Sequence, residues 1–142
     1  MLPDGCYGTI FAIHTLRESI CPRQIHIQAM EITDLLEYTE RGQLREWLHA
    51  HHLCAKQCWV AVYRGKAKPE GDCLPYVDVV EEALCFGWID STLKRIGDGR
   101  LAQRLSPRRK HSHWTALNIR RCREMAEKGK MTEAGWLAMP KL

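Results

Sequence analysis

A chain of 142 residues with 45% hydrophobic and 27% charged side chains has the composition of one globular domain with a genuine core, and excludes a disordered or fibrous chain. It has no run of the roughly 20 apolar residues a membrane span requires, and its Met-Leu-Pro-Asp start lacks the basic region of a secretory signal. The net charge of +4 is unevenly spread: residues 1–90 carry 8 Lys/Arg against 13 Asp/Glu, residues 91–142 carry 13 against 4.

Residues 1–29 mix Gly, Pro, Cys and His without sustained periodicity, and Cys21-Pro22 interrupts any element there. They are expected to be a weakly packed or disordered extension upstream of a natural start at Met30. Residues 30–142 then form a single domain. The recurrence of Leu44, Trp47, Leu48 and His51 predicts an amphipathic helix over 40–52. Gln57 to Arg64, rich in β-branched and aromatic residues, reads as a largely buried strand, followed by a polar loop over 65–72. Pro75 suits the first turn of a helix whose apolar face is Tyr76, Val79, Val80, Ala83 and Leu84, with Gly87 as its stop. Trp88–Ile96 and Arg100–Ser106 read as two strands joined through Gly97-Asp98-Gly99, a strong hairpin signal. A helix is expected from about His113 to Lys128, ended by Gly129. Thr132 then caps a last short helix closed by Pro140. This order predicts an α+β fold, with a small, mainly antiparallel sheet that includes a hairpin and is packed with amphipathic helices.

The chemistry concentrates in Ser106–Asn118. Arg108, Arg109 and Lys110 are consecutive cations behind the stiff Pro107, and Ser112 is placed to cap the following helix. A helix N-terminus beside guanidinium groups suits phosphate, sulfate or carboxylate. On that helix Trp114, Asn118, Cys122 and Met125 share one face, so the Asn118 amide either bonds a neighbouring loop or projects into a ligand cleft. Asp90, at the start of a strand after Gly87-Trp88-Ile89, is expected to pair with Arg108 or Arg109, or to orient a ligand. The candidate ligand site is therefore Trp88, Asp90, Arg108, Arg109, Lys110, Ser112, Trp114 and Asn118, with a pocket expected beside Trp88 and Trp114. His111 and His113 flank Ser112 and titrate near neutrality when unperturbed.

Other constellations are poorer. His51, His52, Cys54 and Cys58 match no standard zinc spacing, and no metal or cofactor is expected. No nucleophile motif or phosphate-cradling glycine loop is present, so no reaction can be named. The seven cysteines read as reduced thiols of a cytoplasmic protein, Cys85 among them as a small buried hydrophobe.

Several segments together resemble the YdeI/OmpD-associated family, whose members are often labelled bacteriocin-protection proteins. They are Ala83-Leu84-Cys85-Phe86-Gly87-Trp88-Ile89-Asp90-Ser91, Pro107-Arg108-Arg109 with Ser112-x-Trp114 and Asn118, and Gly129-x-Met131-Thr132-x-x-Gly135. Arg45-Glu46-Trp47-Leu48 and Cys58-Trp59-Val60 are similar to the family's opening. The resemblance covers roughly residues 32–137. It implies a bacterial protein that protects against stress or antimicrobial peptides, by contact with other proteins, and it supplies no reaction. It also implies a further basic, helical C-terminal region that this chain lacks, as if truncated or a short member. By motif position, Trp88, Asp90, Arg108, Ser112, Trp114 and Asn118 form the shared site. The expected partner is a small anionic ligand. An acidic protein partner for the basic half is the alternative, with nucleic acid third and a membrane excluded.

Overall fold

In the computed structural model, residues 31–141 are described; the expectation for residues 1–29 lies outside them. Among the described residues the chain forms helix α1 (Arg41–His51), strands β1 (Cys58–Tyr63) and β2 (Leu74–Pro75), and helix α2 (Tyr76–Cys85). Strands β3 (Trp88–Gly97) and β4 (Arg100–Pro107) and helices α3 (Ala116–Glu127) and α4 (Glu133–Ala138) follow. This is the expected α+β architecture.

The sheet has the order β2-β1-β4-β3. β4 pairs antiparallel with β1, from Cys58↔Leu105 to Val62↔Leu101, and with β3. Asp98 and Gly99 both take positive φ, 49° and 84°, as a tight hairpin turn with the right-handed strand twist demands. β2 is the one element the sequence does not announce. Two residues carry no periodicity, and they exist as a strand only because Val62↔Leu74 and Tyr63↔Pro75 align in parallel with β1.

Residues directly opposite in a ladder share a face. Cys58, Val60 and Val62 thus join Leu105, Leu101, Trp88 and Leu93 against the helices, in one core with Leu44, Leu48, Val79 and Ala83. Trp59, Ala61 and Ala102 on the opposite face are also fully buried, which explains why β1 reads as a continuous apolar run rather than an alternating one. A register shift between Asp90 and Leu93 disturbs the ladder of β3. The buried Gln103 answers it by donating Nε2 to the carbonyls of Thr92 (3.2 Å) and Arg104 (3.0 Å).

Helices α1 and α2 are joined by ions as well as by apolar contact. Arg41 reaches Asp78 (3.1 Å), Glu81 (3.2 Å) and Glu82 (2.7 Å), and Arg45 reaches Glu82 (3.0 Å). Glu82 is only 3% exposed, a position a carboxylate holds only when paired.

The C-terminal motif has a packing explanation. Gly129 (φ 72°) ends α3, with Lys130 N–H bonded to Met125 O and Gly129 N–H to Ala126 O, both at 2.9 Å, the paired bonds of a Schellman stop. Thr132 then caps α4 and donates both its amide and its hydroxyl to Cys85 O at the end of α2. A Cβ on Gly135 would collide with that same carbonyl. Met-Thr-x-x-Gly is therefore a latch that seats α4 on the end of α2.

Candidate functional site

The segment 108–115 leaves β4 and returns as α3. Arg108 is anchored at its backbone by a bond to Gly87 O (3.0 Å), so the glycine stop of α2 and the end of β4 meet at one point. The Arg108 side chain folds back over its own loop. Its Nη1 donates to Ser112 Oγ (2.9 Å) and to His113 O (3.0 Å), and its guanidinium carbon lies 3.7 Å from the centre of the Trp114 ring. The remaining edge, Nε and Nη2, is buried and has no hydrogen-bond partner. These two donors form the side-on fork of a guanidinium, the geometry that takes a carboxylate or phosphate in a bidentate pair. Burial pulls the Arg108 pKa down, opposed by the charges of Cys122 and Asp90.

Three sequence expectations are corrected here. Ser112 does not cap the helix. Its hydroxyl is taken by Arg108, the chain turns through His111 at φ 61°, and α3 starts later, capped by Thr115 Oγ1 accepting from Asn118 N–H (3.1 Å). Asp90 makes no ion pair with Arg108 or Arg109 among the described residues. Its register opposite Leu105 turns it to the helix-covered face, where it accepts from the Tyr76 hydroxyl at 2.7 Å. A half-buried phenol requires such an acceptor, and Tyr76 stands at the first turn of α2, directly within reach. The Asn118 amide oxygen bonds its own helix rather than a neighbouring loop: its Oδ1 accepts from Arg121 Nη1 (3.0 Å) one turn along.

The other predicted residues divide between core and surface. Trp88 is a core residue, 1% exposed, donating its indole N–H to His52 O (3.2 Å) and meeting Trp47 edge-on at 5.9 Å. Arg109 and Lys110 are exposed and make no ion pair among the described residues. Arg108, Ser112 and Trp114 are thus one locked unit, Asp90 acts on Arg108 only through its charge, and Trp88 stands behind the site in the core.

Three neighbours escape the sequence analysis. Cys122 is fully buried beside Val80 and Leu84, with Tyr76 and Trp114 packed against them. Burial pushes its thiol up to about 11 while Arg108 pulls it down, so the sulfur stays protonated at neutral pH and is no nucleophile. Tyr76 is legible only as an apolar-face residue, because periodicity registers the ring and not the hydroxyl. Its pKa is raised, first by burial and then by the bond to Asp90. Arg64, at the end of β1, lies 4.2 Å over the Tyr76 ring. A cavity of about 310 Å³ opens there, lined by Tyr63, Arg64, Gly65, Pro75, Tyr76 and Val77, away from the Trp88 position at which a pocket was expected.

Among the described residues no three His, Cys, Asp or Glu side chains converge as a metal site, and no helix is long and apolar enough to cross a membrane. No curated protein and no solved structure matches the chain. A family model for a domain of unknown function (DUF8412) matches residues 36–138, from the Leu36 bridge onto β1 to the last residue of α4, and the chain belongs to that family.

Proposed function

We propose that this domain binds an anionic ligand through Arg108, with Arg109 and Lys110 supplying charge at the rim and Trp114 and Ser112 holding the guanidinium in place. The observation that carries the reading is the unpartnered fork of Nε and Nη2. A buried polar group without a partner costs about 1–3 kcal/mol, and a bound carboxylate or phosphate would recover that cost. Three of the guanidinium's constraints, to Ser112, His113 and Trp114, are already in place, so binding would not have to order the side chain. Neither fork nitrogen exposes surface, and an anion therefore reaches them once the groups above move aside. The site is a binding site rather than a catalytic one on this reading, since its thiol is held protonated and its carboxylate is tied to Tyr76.

The resemblance to the YdeI/OmpD-associated family is the ground for a cytoplasmic bacterial role in stress or bacteriocin protection, and three of its motif residues, Arg108, Ser112 and Trp114, lie in contact. A thermal-shift screen of carboxylates, inorganic phosphate, nucleotides and oligonucleotides at two salt concentrations tests the proposal. A ligand at 100 times its Kd stabilises the native state by about 2.7 kcal/mol, and Arg108→Met should abolish that shift with the fold intact. An absence of shift from every anion would overturn the reading. Affinity for oligonucleotides that falls steeply with salt, with a slope reduced by about 1 in Arg109→Ala or Lys110→Ala, would instead mark nucleic-acid binding.

A second reading, a protein-interaction module, is favoured by apolar side chains left in solvent on α3 and α4: Leu117, Trp136 (54% exposed) and Leu137 (79% exposed). These lie on the basic half of the chain, as an acidic partner with an apolar centre would require. Self-association on a sizing column that is lost in Trp136→Ser would support it.

A further inference from the structure

The cavity at the end of β1 plays no part in the reading above, and its lining has a different chemistry from the Arg108 loop. It lies where the parallel strands β1 and β2 run out together at Tyr63↔Pro75 and the chain enters α2. Two phenol rings, Pro75 and Val77 supply flat, largely apolar walls. Its charge is Arg64, whose guanidinium lies over the Tyr76 ring and pairs with no carboxylate among the described residues. Asp78, next to Val77 in the chain, binds Arg41 (3.1 Å), and Asp90 accepts from the hydroxyl of Tyr76 (2.7 Å). Stacking uses the face of a guanidinium and leaves its N–H edges for an in-plane acceptor. The volume, about 310 Å³, is at the small end of ligand cavities.

We propose that this cavity is a binding site for a small aryl monocarboxylate, its ring against Tyr63 and Tyr76 and its carboxylate on Arg64. The aromatic walls select a flat apolar body, and Arg64, the cation in the lining, selects a negative charge. The site is independent of Arg108 and stands or falls separately from the reading above.

The test is isothermal titration of the full chain with benzoate, alongside benzamide (same shape, no charge) and acetate (same charge, no ring). Benzoate should bind, with benzamide and acetate each about tenfold weaker or worse. Arg64→Ala, a change at an exposed side chain, should weaken benzoate about tenfold. Val77→Trp should fill the cavity and abolish binding, and circular dichroism should show both variants folded. Arg108→Met should leave the titration unchanged. Benzoate and benzamide binding equally, or benzoate surviving Val77→Trp, would overturn the site. So would loss of benzoate binding in Arg108→Met rather than Arg64→Ala, an outcome that would move the anion to the Arg108 loop. No heat from benzoate at about 10 mM would also overturn it, because that affinity lies below what one charge-assisted pair and a stacked ring supply.

Discussion

Two regions of the described residues hold partly buried arginines beside the helices, and they treat them in opposite ways. At the seam of α1 and α2, Arg41 and Arg45 meet Asp78, Glu81 and Glu82. Arg45 also donates to Lys130 O (2.6 Å) and lies over the Phe86 ring. There the cations exist to make buried carboxylates tolerable. In the loop before α3, Arg108 has a hydroxyl, a carbonyl and an indole face but no carboxylate, and two of its three guanidinium nitrogens have no partner. The first arrangement is closed and structural. The second is incomplete, and a side chain held rigidly in an incomplete arrangement is poised for a ligand rather than for the fold.

The largest test of the contrast is Arg41→Met. It strips one of the two cations from a nearly inaccessible Glu82, a type of loss that costs about 3–5 kcal/mol when complete. Because Arg45 remains and Arg41 is about one-third exposed, about 2 kcal/mol is the expected loss in urea unfolding. Arg108→Met, the same change in the other region, should be neutral or stabilising by up to about 1 kcal/mol, since it removes unsatisfied donors and keeps the packing on Trp114. Equal destabilisation by the two substitutions would erase the distinction.

Alkaline pH offers an intermediate test, because each region has a buried thiol beside its arginines. Burial raises Cys85 and Cys122 from an ordinary 9.0 to about 11, and Cys58 to about 12. A thiol whose folded pKa exceeds its unfolded one contributes stability that is fully present below pH 9 and is lost as pH rises through the folded value. Unfolding free energy should therefore fall between about pH 9 and 11. Cys122→Ala should flatten part of that fall, and Arg108→Met should steepen it, because the Arg108 charge holds the Cys122 thiol down; the readout is urea unfolding at fixed ionic strength. The smallest effect is expected at His111, which holds φ 61° where a side chain is unfavourable. His111→Gly should stabilise the loop by a few tenths of a kcal/mol, about the balance of relieved strain against glycine entropy.

Much of this was legible in the residues. The Asp98-Gly99 turn, the Gly87 and Gly129 stops and the Thr132 cap are all written within four or five positions of the structure they specify. So is the apolar face of α2. The basic loop was legible as a feature, and Arg108 as its centre. What failed failed for one reason. Ser112 and Thr115 are both good capping residues, and the choice fell to Thr115 because Arg108 had taken the serine hydroxyl. Asp90 could have met Arg108 in sequence terms, yet the pleat turned it to the helix-covered face and gave it to Tyr76.

The sequence by itself determined the helices, the hairpin and the composition of the buried face of β1, because each depends on periodicity and on turn chemistry among near neighbours. Only the tertiary structure decided who pairs with whom. The parallel strand at Leu74–Pro75, the seam of Arg41 with Glu82, the Tyr76–Asp90 bond and the empty fork of Arg108 join residues that chain order leaves far apart or fail to join residues that it sets close. Partner choice among polar groups is settled by packing, which fixes the directions of side chains, and no local pattern encodes a direction in space.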